Sequence, residues 1–171
     1  VCDVFATLAL LFFDLKHLEN YYQTIATLII GMTASLLIYT LFPNAQNMRP
    51  TQFTHDNIFT QVISMLYATD TDTNVLPSIH VFNSLAIHAG LCRYATIHKQ
   101  KIWRNGSFVL CLLICMSTLF LKQHSFLDVA AAIVLFMIVS WITNILFANG
   151  QQNKNEFPSK NIHIVFTRQY G

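Results

Sequence analysis

Long apolar runs separated by short polar clusters make up most of the chain, and their lengths predict its elements. Val1–Phe13 is apolar, but as a helix it would cover only about 20 Å, short of a ~30 Å hydrocarbon core. It lacks the basic leader and small-residue cleavage site of a signal peptide, so it reads as a truncated span with an original N-terminus expected before it. A polar patch, Asp14–Asn20, follows. Tyr21–Leu41 then supplies 21 mostly apolar residues, enough to cross, with Tyr21 and Tyr22 suited to an interfacial belt and Pro43 placed to stop the helix. Beyond the loop Asn44–Pro50, residues Ile58, Phe59, Val62, Ile63 and Leu66 recur at helical spacing within His55–Ala68. That segment is too short to span and predicts a helix lying at the interface or packed on the bundle. After the polar loop Thr69–Asn74, three further spans are predicted at about Ile79–Ile97, Gly106–Leu121 and Leu127–Ala148, with the basic connector His98, Lys99, Lys101, Trp103 and Arg104 between the first two. The expected fold is therefore all-α: an integral membrane helical bundle of about four full spans, plus the truncated N-terminal span and one interfacial helix. Its domains are a transmembrane unit over residues 1–148 and a polar C-terminal tail over 149–171.

Composition agrees with that pattern. Hydrophobic residues make up 54% of the chain and charged residues 11%, against about 25% charged in a soluble domain. A net charge of +2 is too small to point to a nucleic-acid partner. Cys2, Cys92, Cys111 and Cys115 lie in or beside apolar runs with no Cys/His ligand spacing, so buried small hydrophobes are expected rather than disulfides or metal ligands.

Charge placement is more informative than net charge. If the loops alternate sides, one side holds eight of the ten basic residues: Lys16, Arg93, Lys99, Lys101, Arg104, Lys154, Lys160 and Arg168. The positive-inside rule makes that side cytoplasmic. Only Arg49 and Lys122 remain for the outer side, and both stand beside polar clusters.

The densest of these clusters is Ser117–Val129, which places Lys122, His124 and Asp128 between two apolar runs. Ionisable groups where spans meet mark functional sites. His124 and Asp128 are four residues apart at the mouth of the last helix, so they share a face. A carboxylate on one ring nitrogen fixes the tautomer and makes the other a better nucleophile or base. His80, behind the helix-capping Ser78 on the same side, is a candidate acid for a leaving oxygen. Arg49, Lys122, the Ser78 hydroxyl and the N–H groups after Pro77 are candidates to hold phosphoryl oxygens. Together these are the parts that phosphoryl transfer needs. Asp70 and Asp72 offer a possible cation site with the two histidines, but a solvated turn is the plainer role, and no metal or cofactor is expected. Asn74 has a possible role in shaping the loop before Pro77. His17, His88, His98 and His163 lack matching context and are expected to be interfacial or structural.

These residues resemble a known family. Pro77-Ser78-Ile79-His80 is similar to the P-S-x-H motif of the type 2 phosphatidic acid phosphatase (PAP2) superfamily. Ser117 with His124-x-x-x-Asp128 resembles its third motif, S-R-x-x-x-x-x-H-x-x-x-D, and Arg49-Pro50 resembles the end of its first, K-x-x-x-x-x-x-R-P. The resemblance covers about Tyr21 to Ala148 and implies a PAP2-like catalytic domain with a metal-independent mechanism. His124 attacks phosphorus to give a phosphohistidine, Asp128 orients it, His80 protonates the leaving group and then activates water, and Arg49 and Ser78 bind phosphate. Two positions depart from the pattern: Phe42 stands where the first motif has lysine and Thr118 where the third has arginine. Lys122 is a possible substitute for one of them. The F-P-x-x-x-x-x-R-P form is also similar to the branch containing inositol-phosphorylceramide synthases, which transfer a headgroup rather than hydrolyse.

The implied activity is hydrolysis of a lipid phosphate or pyrophosphate drawn from the bilayer, at the extracytoplasmic face of a bacterial-type plasma membrane. The alternatives are a lipid phospho-headgroup transferase using the same histidine and a non-catalytic lipid-binding remnant in which the polar cluster is structural.

Overall fold

Small and hydroxylated residues recur along one face of the first long apolar run: Thr24, Thr27, Gly31 and Ser35 are its buried positions, while Ile29, Leu36 and Leu37 are well exposed. This inside-out pattern is that of a helix packed on protein through a small-residue face and on lipid through its apolar one. The computed structural model describes residues 18–45, 57–69, 76–97 and 99–156, and every regular element among them is a helix. In chain order these are α1 (Leu18–Leu41), α2 (Ile58–Thr69), α3 (Ile79–Ile97), α4 (Lys101–Phe120) and α5 (Phe126–Glu156). The truncated span expected at Val1–Phe13 lies outside the described residues. α4 begins within the expected basic connector, and α5 runs past the expected domain boundary at residue 148.

Among the described residues, three helical segments are long and apolar enough to cross a membrane: Leu18–Leu41, Lys101–Phe120 and Phe126–Gly150. The sequence predicts a fourth at α3, and the difference has a physical cause. At 19 residues α3 has the length, but ten of those residues are buried, and α1, α4 and α5 all pack against it. A helix enclosed by protein has no need of an apolar surface, so α3 carries His80, Asn83, Ser84, His88 and Arg93. The lipid-facing load falls on the others: Val134, Met137, Ile138, Trp141 and Leu146 of α5 are all exposed.

Polar contacts fix how the helices sit. Thr27 and Thr143 share a hydrogen bond at 3.0 Å, and the Gln23 amide donates to Asn144 at 2.6 Å, joining α1 to α5. The Arg93 guanidinium donates to the Thr24 hydroxyl at 3.2 Å, joining α3 to α1. The closest approach is at Gly31, where an added Cβ would lie 1.8 Å from the Phe82 ring. Phe82 is 1% exposed and packed against Phe136, with nowhere to retreat. Gly31→Ala is therefore expected to cost about 1–3 kcal/mol through overpacking. The check is a thermal melt in detergent, where an unchanged midpoint would contradict the packing.

The short helix α2 starts on a reciprocal cap. The Thr60 N–H donates to Asn57 Oδ1 at 2.9 Å and the Asn57 N–H to Thr60 Oγ1 at 2.9 Å. Ile58, Phe59 and Val62 of its apolar stripe are exposed, and so is Met65. Its Tyr67 hydroxyl donates to the Leu121 carbonyl at 2.8 Å, tying it to the end of α4.

Candidate active site

The ends of α1 and α4 and the starts of α3 and α5 meet at one end of the bundle. Pro77 leads into α3 with Ser78 as N-cap: its Oγ accepts the Val81 N–H at 3.4 Å, satisfying one of the free donors of the first turn. The segment before it is held from α1. The Tyr39 hydroxyl donates to the Pro77 carbonyl. Asn44 clasps Leu76, its Oδ1 accepting the Leu76 N–H at 3.1 Å and its Nδ2 donating to the Leu76 carbonyl at 3.3 Å. From α5, the Asp128 carbonyl accepts the Ser78 N–H at 3.3 Å. His80, in the first turn of α3, is thus aimed by a loop fixed from two other helices.

The turn between α4 and α5 is a Schellman motif. The Gln123 N–H donates to the Thr118 carbonyl and the Lys122 N–H to the Leu119 carbonyl, both at 3.1 Å. Lys122 occupies the left-handed position with φ 51°, where glycine is usual. The end of α3 has the same form, with Lys99 at φ 55°. The Thr118 carbonyl also accepts the His124 N–H at 3.3 Å, so this turn sets the height of His124.

Asp128 does two things at once. Its carboxylate accepts the Ser125 N–H at 2.7 Å, and its own N–H donates to Ser125 Oγ at 3.4 Å, a capping box that starts α5. The same oxygen, Oδ2, lies 3.7 Å from His124 Nδ1. His124 is 8% exposed and Asp128 0%. Across from them stands His80, its ring centroid 6.0 Å from that of His124 and the planes at 67°. Nδ1 of His124 is the ring nitrogen turned to the carboxylate.

Of the six residues the sequence nominates, the structure brings four together directly: Ser78, His80, His124 and Asp128. Lys122 is exposed in the adjoining turn. Arg49 lies outside the described residues, as do Asp70, Asp72 and Asn74. Ser78 is fully buried, its oxygen already accepting one hydrogen bond while its proton is left to donate. At the two departures from the family pattern, Phe42 is 70% exposed and Thr118 is buried, its hydroxyl donating to the Cys115 carbonyl at 2.8 Å. His88 lies farther along α3, bonded to Ser107 of α4.

Sequence reasoning missed Tyr39, Asn44, Asn83 and Ser125. Ser125-x-x-Asp128 is readable as a capping box. Tyr39 and Asn44 act at sequence separations of 38 and 32 and leave no local signal.

The chain matches the family described as the PAP2 superfamily over residues 24–152, which takes in every one of these positions. No curated protein and no solved structure matches it.

Proposed function

Because the chain belongs to the PAP2 superfamily, we propose that it is a membrane-embedded phosphatase that removes phosphate from a lipid phosphate or pyrophosphate through a phosphohistidine at His124. The observation that carries this is the His80–His124 pair, two imidazoles with ring centroids 6.0 Å apart and Asp128 beside one of them.

In the first step His124 Nε2 forms a bond to phosphorus as the P–O bond to the lipid breaks, and the departing oxygen takes a proton from His80. In the second, His80 takes a proton from water, the water oxygen bonds to phosphorus, and the P–N bond breaks to release inorganic phosphate. Asp128 holds the His124 tautomer and stabilises its positive charge throughout. The same scheme gives Asn83 a use. It sits three residues beyond His80, 7% exposed, and its amide oxygen has no hydrogen-bond partner among the described residues. In this scheme that oxygen accepts a hydrogen bond from the water that His80 activates.

With Phe42 and Thr118 in place of two cations, the phosphoryl oxygens need other partners. The N-termini of α3 and α5 both open here, joined by the Ser78–Asp128 hydrogen bond. Each contributes roughly half a positive charge and free N–H groups. Arg49 and Lys122 supply the full charges in this scheme. In this reading the site faces the extracytoplasmic side, which the distribution of basic residues favours under the positive-inside rule.

Lys122→Gly separates the lysine's charge from its backbone role. Glycine suits φ 51° and relieves about 1 kcal/mol of left-handed strain, while loss of one charge-assisted contact lowers kcat/KM about tenfold. The expected result is lower kcat/KM with no fall in melting temperature. Unchanged kinetics would make Lys122 a turn residue alone.

The transferase reading keeps the first step and sends the phosphoryl group, or a phospho-headgroup, to an alcohol. What favours it is the F-P-x-x-x-x-x-R-P form around Phe42. Assaying lipid phosphates with and without candidate alcohols decides: a product carrying the acceptor supports transfer, and inorganic phosphate alone supports hydrolysis.

A further inference from the structure

A second cleft opens between α3 and α4, with a volume of about 460 Å³ and a lining of His88, Cys92, Arg104, Asn105, Phe108 and Val109. Cys92 lies twelve residues beyond His80 on the same helix, about 18 Å along its axis at 1.5 Å per residue. The cleft is therefore at the far end of the bundle from the histidine pair, beside the basic connector.

Its inner wall is engaged within itself. The Ser107 hydroxyl lies 3.0 Å from the Arg104 carbonyl and 2.8 Å from His88 Nδ1, and the Cys92 thiol lies 3.5 Å from His88 Nε2. The side chain of Arg104 is the permanent cation in the lining.

The mouth has a different character from the wall. Arg104 and Asn105 are exposed on the first turns of α4, flanked by the exposed Lys99 and Lys101. Below them Phe108 and Val109, 56% and 53% exposed, continue down the side of a membrane-crossing helix. A planar guanidinium matches a phosphate in two-pronged fashion, and flanking lysines raise the local concentration of anions. A cation and an amide above an apolar strip complement a molecule with an anionic head and an apolar tail.

We propose that this cleft binds an anionic phospholipid, with its phosphate on Arg104 and Asn105 and an acyl chain along Phe108 and Val109. The lipid is a bound stabiliser of the α3–α4 contact, separate from the substrate. A basic pocket between membrane helices is a recognised setting for such a headgroup.

The test uses the full chain in nanodiscs of phosphatidylcholine, with or without phosphatidylglycerol, and reads thermal stability together with displacement of labelled phosphatidylglycerol. The wild type is expected to melt higher in the anionic discs. Arg104→Gln is expected to lose that increment and to bind the labelled lipid about fivefold more weakly, and Arg104→Lys to recover part of both. Hydrolysis in phosphatidylcholine discs stays unchanged in both variants. His124→Ala keeps the increment, so the outcome is independent of the chemistry at the other end. An equal increment in wild type and Arg104→Gln would overturn the proposal. So would reproduction of the whole increment by inorganic phosphate in phosphatidylcholine discs, which would assign the cleft to free phosphate.

Discussion

Replacing His124 with alanine is expected to lower phosphate release by about 10⁴-fold or more, the scale on which enzymes lose activity when a covalent nucleophile is removed. In the proposed mechanism no neighbour takes over the attack, because His80 has the separate role of donating a proton to the departing oxygen. The structural cost is small by comparison. The ring is buried but stands at a helix mouth, and the His124 N–H to Thr118 carbonyl bond that sets the turn is retained in the variant. A melting temperature near that of the wild type, with activity at background, is the expected pair of results. His80→Ala is expected to behave differently. Loss of a general acid costs about 10²–10⁴-fold, and a substrate with a good leaving group bypasses the first step but not the second. Acid-labile phosphate should then accumulate on the protein and map to His124. Activity in His124→Ala comparable to wild type, or a strict requirement for a divalent metal in the wild type, would sink the phosphohistidine mechanism.

Much of the site was legible because its parts are local. Pro77–His80 and His124–Asp128 each sit within one helical turn, where sequence spacing fixes geometry. What joins them is not local. The Ser78 N–H to Asp128 carbonyl bond, the Tyr39 hydroxyl on Pro77 and the Asn44 clasp on Leu76 depend on how α1, α3 and α5 pack, and no periodicity encodes them. The same limit explains α3. Length and mean apolarity describe a helix against lipid, so they do not decide whether a helix packed against three others, as α3 is, also spans. α4 shows a smaller version: Lys101, Trp103 and Arg104 read as a connector, yet basic and aromatic residues extend a membrane helix into the headgroup region without ending it.

Asp128→Asn should separate catalysis from folding more cleanly than any other substitution at this site. Asn keeps an oxygen that can accept the Ser125 N–H, so the capping box that starts α5 survives in part. The melting temperature is then expected to stay close to that of the wild type. What Asn cannot do is hold His124 Nδ1 as a donor to a negative charge. Because one oxygen serves both the Ser125 N–H and His124 Nδ1, the amide oxygen that keeps the cap faces Nδ1 only as a neutral acceptor, and the orienting charge is lost. The same change in a comparable histidine–aspartate pair costs about 10⁴-fold. Here, with Nδ1 and Oδ2 at 3.7 Å, the expected loss is about 10²–10⁴-fold in kcat, with little change in KM. Ser125→Ala gives the opposite signature. It removes the hydroxyl that accepts the Asp128 N–H and is expected to cost about 1 kcal/mol of stability, while the carboxylate still faces His124 and turnover falls less than tenfold. If Asp128→Asn instead melted early and kept its kcat, Asp128 would be a helix cap only, and orientation of His124 would have to come from the Thr118 turn.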